Sequence, residues 1–229
     1  MQHTVAKPVT ISGKGLLLGD DVDLVISPAP AGEGISFERT DIEPATHIPA
    51  LITNADNRER RTTPTVGDVT VETVEHLMSA LYGMGIDNAL IRIDGPEVPC
   101  GDGSSMPFVE PLLKAGTVKQ DQPRTIFRVT EPICLQDGDA MIAAFPSHQH
   151  GLHVVYDLDY AHATSRIARQ TQAWDSASGT YVSDVAPART FSLKEEAQAL
   201  QSQGMCTHLT PTEMLVIGED GPIDNAYRF

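Results

Sequence analysis

The sequence has few cysteines, no long apolar run and no leader-like start, and each of these features excludes a class of protein. Its three cysteines, Cys100, Cys134 and Cys206, are odd in number and far apart. They therefore indicate reduced thiols in the cytoplasm rather than a disulfide framework, and they lack the CxxC spacing of a structural zinc site. Apolar runs such as 15–18 fall far below the ~18 residues that a membrane-spanning helix needs. The first residues contain no apolar region, so we expect no secretory signal.

Cations are scarce as well. The chain has 16 lysines and arginines against 31 aspartates and glutamates, which gives a net charge of −15. A general nucleic-acid-binding protein carries a basic face, so this class is disfavoured, although a few local cations can still bind an anionic ligand such as a nucleotide-sugar. The 229 residues suffice for one large domain or for two of about 110 residues each.

The pattern of apolar residues predicts an α+β fold. Residues 73–84 are expected to form a helix with Thr73 as its N-cap, and residues 106–115 a second helix. A third helix is expected after the capping box Ser192–Glu195, whereas the polar stretch 57–68 is interpreted as a loop. The predicted strands lie within 3–18 and at 21–26, 34–39, 88–94, 126–129, 141–145, 152–158 and 214–218.

A polar stretch at 117–125, which contains Pro123, separates two halves of similar pattern. We place the domain boundary there, with one α+β domain at 1–122 and a second at 123–229. Each half is expected to form strands followed by helix and strand, although no repeat is visible at the level of residues.

The predicted helix at 73–84 is the most informative element for chemistry. Glu75 and His76 lie on either side of its polar arc, and the small residues Ser79 and Gly83 lie between them, so a ligand or another layer of structure could approach closely. A histidine that binds zinc beside a glutamate that activates the metal-bound water is standard metallohydrolase chemistry. The alternative is a solvated first turn in which Glu75 matches the helix dipole.

Further metal ligands would have to come from other parts of the chain. The residue four after His76 is Ala80, so the pair does not extend to an HExxH motif, and a catalytic zinc ion needs three protein ligands. The spacing of His148, His150 and His153 permits metal binding, but these residues follow a predicted strand. A hairpin tip at the surface is the favoured interpretation of that segment.

Two further segments lie beside predicted helices, and the first of them, Glu97–Ser105, is interpreted as a structural loop that joins strand to helix. The turn-rich segment Glu97–Ser105 contains glycines that permit tight backbone geometry, and Ser104 or Ser105 is expected to cap the next helix. Thr190 could donate a hydrogen bond to a developing oxyanion. An ordinary junction between strand and helix is the alternative interpretation of Thr190.

Several of these segments together resemble one family, the UDP-3-O-acyl-N-acetylglucosamine deacetylases. The run TVEHLMSAL at 73–81, followed by GMGIDN at 83–88, is similar to the most recognisable stretch of that family. Glu97–Pro99 and Asp102–Ser104 follow at the family's spacing, and ARTF at 188–191 extends the similarity into the second half. The resemblance covers essentially all 229 residues. It is highly specific because several separate motifs recur in order.

The resemblance implies a zinc-dependent amide hydrolase with two similar α+β domains, each a sheet packed against two helices, and a site between them. It implies that Glu75 is the general base, that His76 is a zinc ligand and that Thr190 binds and polarises the reacting carbonyl. The expected reaction removes the N-acetyl group of a UDP-acyl-sugar in lipid A biosynthesis in the cytoplasm. An insert in the second domain, expected within 161–187, would form an apolar passage for the acyl chain.

Two departures from the family pattern concern the substrate and the metal. Leu17 occupies the place where the family often has the histidine of a GLHxG motif, so substrate contacts are expected to differ. The HKxxD motif, which supplies the other two zinc ligands in the family, does not occur in the sequence, and neither does the later GHxxN-type motif. The second domain is therefore expected to be incomplete, and the remaining Zn2+ ligands are expected beyond residue 229.

Two hypotheses for function follow. The chain is an incomplete form of a deacetylase, or it is a non-catalytic relative of the same fold that binds a nucleotide-sugar or a protein partner. The presence of Glu75, His76 and Thr190 favours the first hypothesis, and the order of the motifs disfavours an unrelated α+β domain. With one zinc ligand, we expect residues 1–229 alone to show weak or no zinc binding, no deacetylase activity and marginal stability.

Overall fold

The computed structural model describes residues 1–58, 60–160, 164–211 and 213–228. Helices α1 (Glu75–Gly83), α2 (Met106–Ala115) and α3 (Lys194–Ser202) are accompanied by a 3-10 turn at Ile52–Asn54 and a π-helical turn at Tyr181–Val185. The strands of the first half are β1 (His3–Val5), β2 (Val9–Lys14), β3 (Asp21–Pro28), β4 (Ile35–Arg39), β5 (Thr46–Pro49), β6 (Ala55–Arg58), β7 (Arg61–Val66), β8 (Val69–Thr70), β9 (Ala89–Ile93) and β10 (Thr117–Lys119). The strands of the second half are β11 (Ile133–Asp137), β12 (Ala140–Ala144), β13 (His153–Leu158), β14 (Gln170–Asp175), β15 (Phe191–Leu193), β16 (Leu215–Gly218) and β17 (Gly221–Pro222).

A five-stranded sheet in the order β2-β3-β9-β4-β5 forms the centre of the first half. Strands β4 and β9 run parallel, and the other neighbours run antiparallel. In β3, every second side chain from Val22 through Leu24 to Ile26 is buried, because successive side chains of a strand point to opposite faces. These side chains belong to one hydrophobic core that also includes α1 and α2.

Both helices of the first half bury an apolar stripe at helical spacing. Helix α1 buries Leu77, Ala80 and Leu81, and α2 buries Phe108 and Leu112 among others. Residues three or four apart lie on one face of a helix, so this spacing directs each helix into the core. The polar arc of α1, which carries Glu75 and His76, therefore lies on the side of the helix away from its buried stripe.

The two ends of the first half are joined by backbone pairing. Strands β1 and β10 form an antiparallel ribbon in which His3 pairs with Lys119, and the Gln2 N–H donates to the Gln122 carbonyl over 2.8 Å. Antiparallel strand pairing therefore extends into 117–125, the polar stretch where we place the domain boundary. The division into 1–122 and 123–229 itself stays a prediction.

The second half has separate small sheets. Strands β11 and β12 form one hairpin, β13 and β14 form another, and β15-β16-β17 form a third sheet. Strands β15 and β16 run parallel and are connected through α3, which gives a βαβ unit. A small buried cluster belongs to this half and consists of Ile167, Leu193, Leu215 and Ile217.

The predicted α+β class is confirmed, and several element boundaries are corrected. The helix predicted at 106–115 is confirmed. The loop predicted at 57–68 is wrong, since most of it belongs to the hairpin of β6 and β7. The strand predicted at 126–129 is also wrong, because those residues adopt no regular structure. In the part of the chain that the structure describes, no helix is both long and apolar enough to cross a membrane.

Candidate active site

Helix α1 begins at an unusual turn that sets the direction of its first side chains. Thr73 has a φ of 57°, a conformation that non-glycine residues seldom adopt. Its hydroxyl donates to the Glu72 carbonyl and to Oε1 of Glu97, over 2.7 and 3.2 Å. The predicted role of Thr73 as N-cap is therefore wrong: Val74 occupies that position, without a side-chain cap.

Glu75 and His76 stand in the first turn of α1 and are both half-buried. Oε2 of Glu75 accepts the backbone N–H of Thr62, on β7, over 3.1 Å. This bond restrains the carboxylate while leaving other lone pairs of its two oxygens able to accept a proton. The first turn also favours negative charge, since the helix dipole is positive there.

The environment of His76 favours its neutral form. Burial lowers the pKa of His76, and the charges of Glu75 and Asp102 offset that effect only in part. A neutral imidazole has a free nitrogen lone pair, which is the form that binds a metal ion. The carbonyl of His76 accepts the hydroxyl of Ser105 over 3.0 Å, which joins the helix to the loop before α2.

The small residues on the polar arc of α1 are approached closely by another layer, as the sequence predicted. The ring of Tyr181 covers Gly83 so tightly that a Cβ there would lie 2.2 Å from the ring. The Tyr181 hydroxyl is 2.8 Å from the hydroxyl of Ser79. A segment of the second half is thereby packed directly on the helix that carries Glu75 and His76.

The loop at 102–105 brings Thr190 to the same region. The Thr190 N–H donates to the Gly103 carbonyl over 2.8 Å, and the Ser105 N–H donates to the Ala186 carbonyl over 3.0 Å. Gly103 has a φ of 78°, and a Cβ there would lie 3.3 Å from Cγ2 of Thr190. Glycine thus permits both the turn and the close approach. The loop that bonds to His76 through Ser105 also holds Thr190.

Asp102 adds a charged network to this loop. It accepts the hydroxyl of Ser104 over 2.6 Å and the guanidinium of Arg228. Burial raises the pKa of Asp102, but hydrogen bonds from Ser104 and Arg228 outweigh burial and lower it, so the side chain is an anion. The expected capping is confirmed in part, because Oγ of Ser104 accepts the N–H of Met106.

Glu97 is a buried carboxylate whose role sequence reasoning missed. Its side chain is 2% exposed and accepts the N–H groups of Leu17 and Leu18 as well as the Thr73 hydroxyl. Burial raises the pKa of Glu97, and these hydrogen bonds offset the rise in part. Glu97 therefore links the loop that contains Leu17 to the turn that starts α1. Apart from the family motif, the sequence carries no signal for this link.

The second histidine cluster lies on an exposed segment. His148 and His150 are exposed in the connection between β12 and β13, and His153 pairs with Asp175, with Nδ1 and Oδ2 3.5 Å apart. The surface interpretation is confirmed, although the segment joins two hairpins rather than ending one. Across residues 1–58, 60–160, 164–211 and 213–228, no group of three His, Cys, Asp or Glu side chains could hold a metal ion.

An apolar cavity of about 230 Å³, partly open to solvent, lies beside α3 in the βαβ unit. The backbone of the first half reaches its edge, because the Leu17 carbonyl accepts the Cys206 N–H over 2.8 Å. None of the residues that line the cavity falls within 161–187, the range expected for an apolar insert. Within that range, residues 161–163, which include His162, lie outside the described residues. The lining of the cavity includes Leu200, Cys206, Leu209, Met214, Val216 and Ile223.

Comparison with known proteins gives one consistent result. The family model described as UDP-3-O-acyl N-acetylglycosamine deacetylase (LpxC) matches residues 2–229. A relative from Geobacter sp. (strain M21), named UDP-3-O-acyl-N-acetylglucosamine deacetylase, is 38% identical over 97% of this chain and 72% of its own length. Relatives of the same name from Cellvibrio japonicus (strain Ueda107) and Pseudomonas entomophila (strain L48) are 37% and 34% identical. They are covered over 71% and 73% of their lengths, and they match 95% and 97% of this chain.

Proposed function

The chain belongs to the UDP-3-O-acyl N-acetylglycosamine deacetylase family, and we propose that it removes the N-acetyl group from UDP-3-O-acyl-N-acetylglucosamine in lipid A biosynthesis in the cytoplasm. The main support is the loop at 102–105. It bonds to His76 through Ser105 and to Thr190 through Gly103, so it joins the Glu75–His76 turn to the threonine. A carboxylate, a neutral imidazole and a hydroxyl donor are the groups that amide hydrolysis needs.

The proposed reaction is the attack of water on the acetyl carbonyl carbon. Glu75 takes a proton from the attacking water as the oxygen–carbon bond forms. Thr190 donates a hydrogen bond to the carbonyl oxygen, which becomes an oxyanion. The carbon–nitrogen bond then breaks as the nitrogen takes up the proton that Glu75 accepted, acetate leaves and the sugar keeps a free amine.

Zinc is part of the proposal, with His76 as one of its ligands. A bound zinc ion lowers the pKa of a coordinated water and polarises a carbonyl. The neutral state of His76 suits this role. A catalytic zinc ion takes three protein ligands, and the described residues gather no such set. They therefore do not complete a zinc site by themselves, and we expect this chain to bind the ion weakly.

The apolar cavity beside α3 is the proposed site of the acyl chain. The surface of its wall is mostly apolar and suits a hydrocarbon chain, although Ser192, Lys194, Gln198, Gln201 and Thr210 also line it. Ser192, which lines the cavity, follows Thr190 by two positions along β15, and this short connection supports the assignment. Leu17 lies at the edge of the cavity through the hydrogen bond to Cys206.

One observation favours the alternative, a relative that binds the UDP-acyl-sugar without hydrolysing it. Among the described residues, no three His, Cys, Asp or Glu side chains are grouped so that they could hold a metal ion. Binding would still be possible through the apolar cavity and Thr190. Acetate release separates the two functions directly.

The experiment compares the wild-type chain with Glu75→Gln at increasing zinc concentrations, because mass action fills even a weak site. Without added zinc we expect no acetate release, as the sequence predicts for residues 1–229. At high zinc concentrations we expect slow release from UDP-3-O-acyl-N-acetylglucosamine, and Glu75→Gln should abolish it. The matched control is Glu110→Gln, which changes an exposed glutamate on α2. Substrate binding by calorimetry without acetate release at any zinc concentration would support the alternative, and neither binding nor release would overturn both.

A further inference from the structure

His76 shares a face of α1 with the two residues that Tyr181 covers. Ser79 follows His76 by three positions and Gly83 by seven, and such residues line up along one side of a helix. The Tyr181 hydroxyl lies 2.8 Å from that of Ser79, and its ring lies over Gly83. Tyr181 therefore packs against the same side of α1 that carries His76, the proposed zinc ligand.

Tyr181 is also held on its other side. Its ring packs edge-on against Trp174 of β14, with centroids 5.8 Å apart and an interplanar angle of 67°. The side chain is 5% exposed and is part of the core of the first half. A ring confined between α1 and Trp174 has little room to move, so it fixes the start of the segment that follows it.

That segment leads in nine residues from Tyr181 to Thr190. The Ala186 N–H donates to the Tyr181 carbonyl over 2.9 Å, within the π-helical turn. Ala186 in turn accepts the Ser105 N–H, and the Ser105 hydroxyl donates to the carbonyl of His76. A continuous series of hydrogen bonds therefore connects Tyr181, Ala186 and the backbone of His76.

We propose that Tyr181 is a positioning residue: through its hydroxyl bond to Ser79 and its packing on Gly83, it sets the place of Thr190 relative to Glu75 and His76. This role rests on the deacetylase function proposed above. A hydroxyl stabilises an oxyanion only within hydrogen-bond distance, and a displacement of about 1 Å at a reacting centre costs up to about 100-fold in rate. Tyr181 acts through the 181–190 segment and does not touch the reacting groups.

The test removes the hydrogen bond from either side while keeping the packing. Tyr181→Phe keeps the ring on Gly83, and Ser79→Ala deletes the partner hydroxyl. The matched control is Tyr82→Phe, which removes a hydroxyl from a tyrosine of the same helix that is 53% exposed. Two quantities are measured: the carbon and proton chemical shifts of the Thr190 methyl group, and kcat and KM for acetate release at saturating zinc.

We expect the Thr190 methyl resonance to move in Tyr181→Phe and in Ser79→Ala, and the double variant to move it no further. We expect it to stay in place in Tyr82→Phe. In Tyr181→Phe and in Ser79→Ala we expect kcat to fall on the order of 10-fold at unchanged KM. A folded Tyr181→Phe protein with an unmoved Thr190 methyl group, or an equal movement in Tyr82→Phe, overturns the positioning role. If the wild-type protein releases no acetate, the proposed function fails, and the Thr190 resonance alone decides the role of Tyr181.

Discussion

At the scale of single residues, the side chains with proposed chemistry were easier to predict than those that hold them. Glu75 and His76 are adjacent in the sequence, and helical spacing places both in one turn. The partners of Glu97 are backbone N–H groups of Leu17 and Leu18, about 80 positions away. No local pattern predicts such a contact, because the identity of a residue does not show whether its carboxylate is buried or exposed.

Glu97 gives the first prediction, a dependence of stability on pH. Burial raises its pKa in the folded protein above the unfolded value of about 4.3. Its contribution to stability is therefore complete below about pH 4.3 and is lost as the pH rises through the folded pKa. We expect wild-type protein to lose stability relative to Glu97→Gln over that range, as measured by urea unfolding. Glu110→Gln, which removes an exposed carboxylate from α2, is the matched control. A pH-independent stability difference between wild type and Glu97→Gln would contradict the prediction.

The cysteines give a second prediction, on chemical modification. Burial raises the pKa of Cys100 to about 11, so at pH 8 only about one molecule in a thousand carries the reactive thiolate. Cys206 is buried and its pKa is also raised, whereas Cys134 is exposed on β11. We expect an alkylating reagent to modify Cys134 first, as read by mass spectrometry of peptides. Cys134→Ser should remove the fast phase, and rapid labelling of Cys100 in the folded protein would be inconsistent with its burial.

At the scale of elements, prediction succeeded where an apolar stripe exists and failed where pairing alone defines the structure. Helix α2 was predicted with its observed bounds, because its stripe is regular and Gly116 follows it. Strand β6 was missed, since all four of its residues are exposed and carry no alternation. The segment 126–129 has apolar residues, but Ile126 and Phe127 remain 70% and 89% exposed and unpaired. Apolar composition does not reveal whether a partner strand is available.

Helix α1 gives a third prediction, in which the usual rule for helices is reversed. Alanine is more favourable than glycine in a helix by about 1 kcal/mol. At Gly83, however, the added methyl group would lie 2.2 Å from the Tyr181 ring. We expect Gly83→Ala to lower the free energy of unfolding by about 1–3 kcal/mol, measured by urea denaturation.

The same substitution in a Tyr181→Ala background provides the control. With the ring removed, Gly83→Ala should no longer destabilise the protein and should show the ordinary gain of up to about 1 kcal/mol. An equal loss in both backgrounds would mean that Tyr181 is not the cause.

At the scale of the whole molecule, burial is distributed unequally. The first half has a continuous core between its sheet and two helices, whereas the second half has the small cluster around Leu193 and Ile217. All residues of β11 are exposed, and large apolar side chains of β12 such as Met141 and Ile142 are about 70% exposed. The composition did not reveal this difference, since both halves have similar apolar patterns along the chain. Burial depends on what packs against a strand, which the sequence of that strand does not state.

This difference gives a fourth prediction, on hydrogen exchange. Backbone amides exchange through local opening where few buried contacts hold them. We expect the amides of β11 and β12 to exchange with solvent far faster than those of β3 and β9, as followed by mass spectrometry. Thermal unfolding should also take place in more than one step, and the marginal stability expected from the sequence stays a prediction. A single cooperative transition with uniform protection would contradict both expectations.

The exposed turn between β11 and β12 has a practical consequence for protein engineering. Gly138 has a φ of 55°, and no atom of the described chain lies within 4 Å of a Cβ built there. Exposed loop tips of this kind tolerate inserted sequence. The segment that carries Thr190 is attached to the first half through Tyr181 and Ser105 rather than through this hairpin. A reporter peptide or fluorophore placed at Gly138 would therefore label the protein without touching the contacts that hold the segment carrying Thr190.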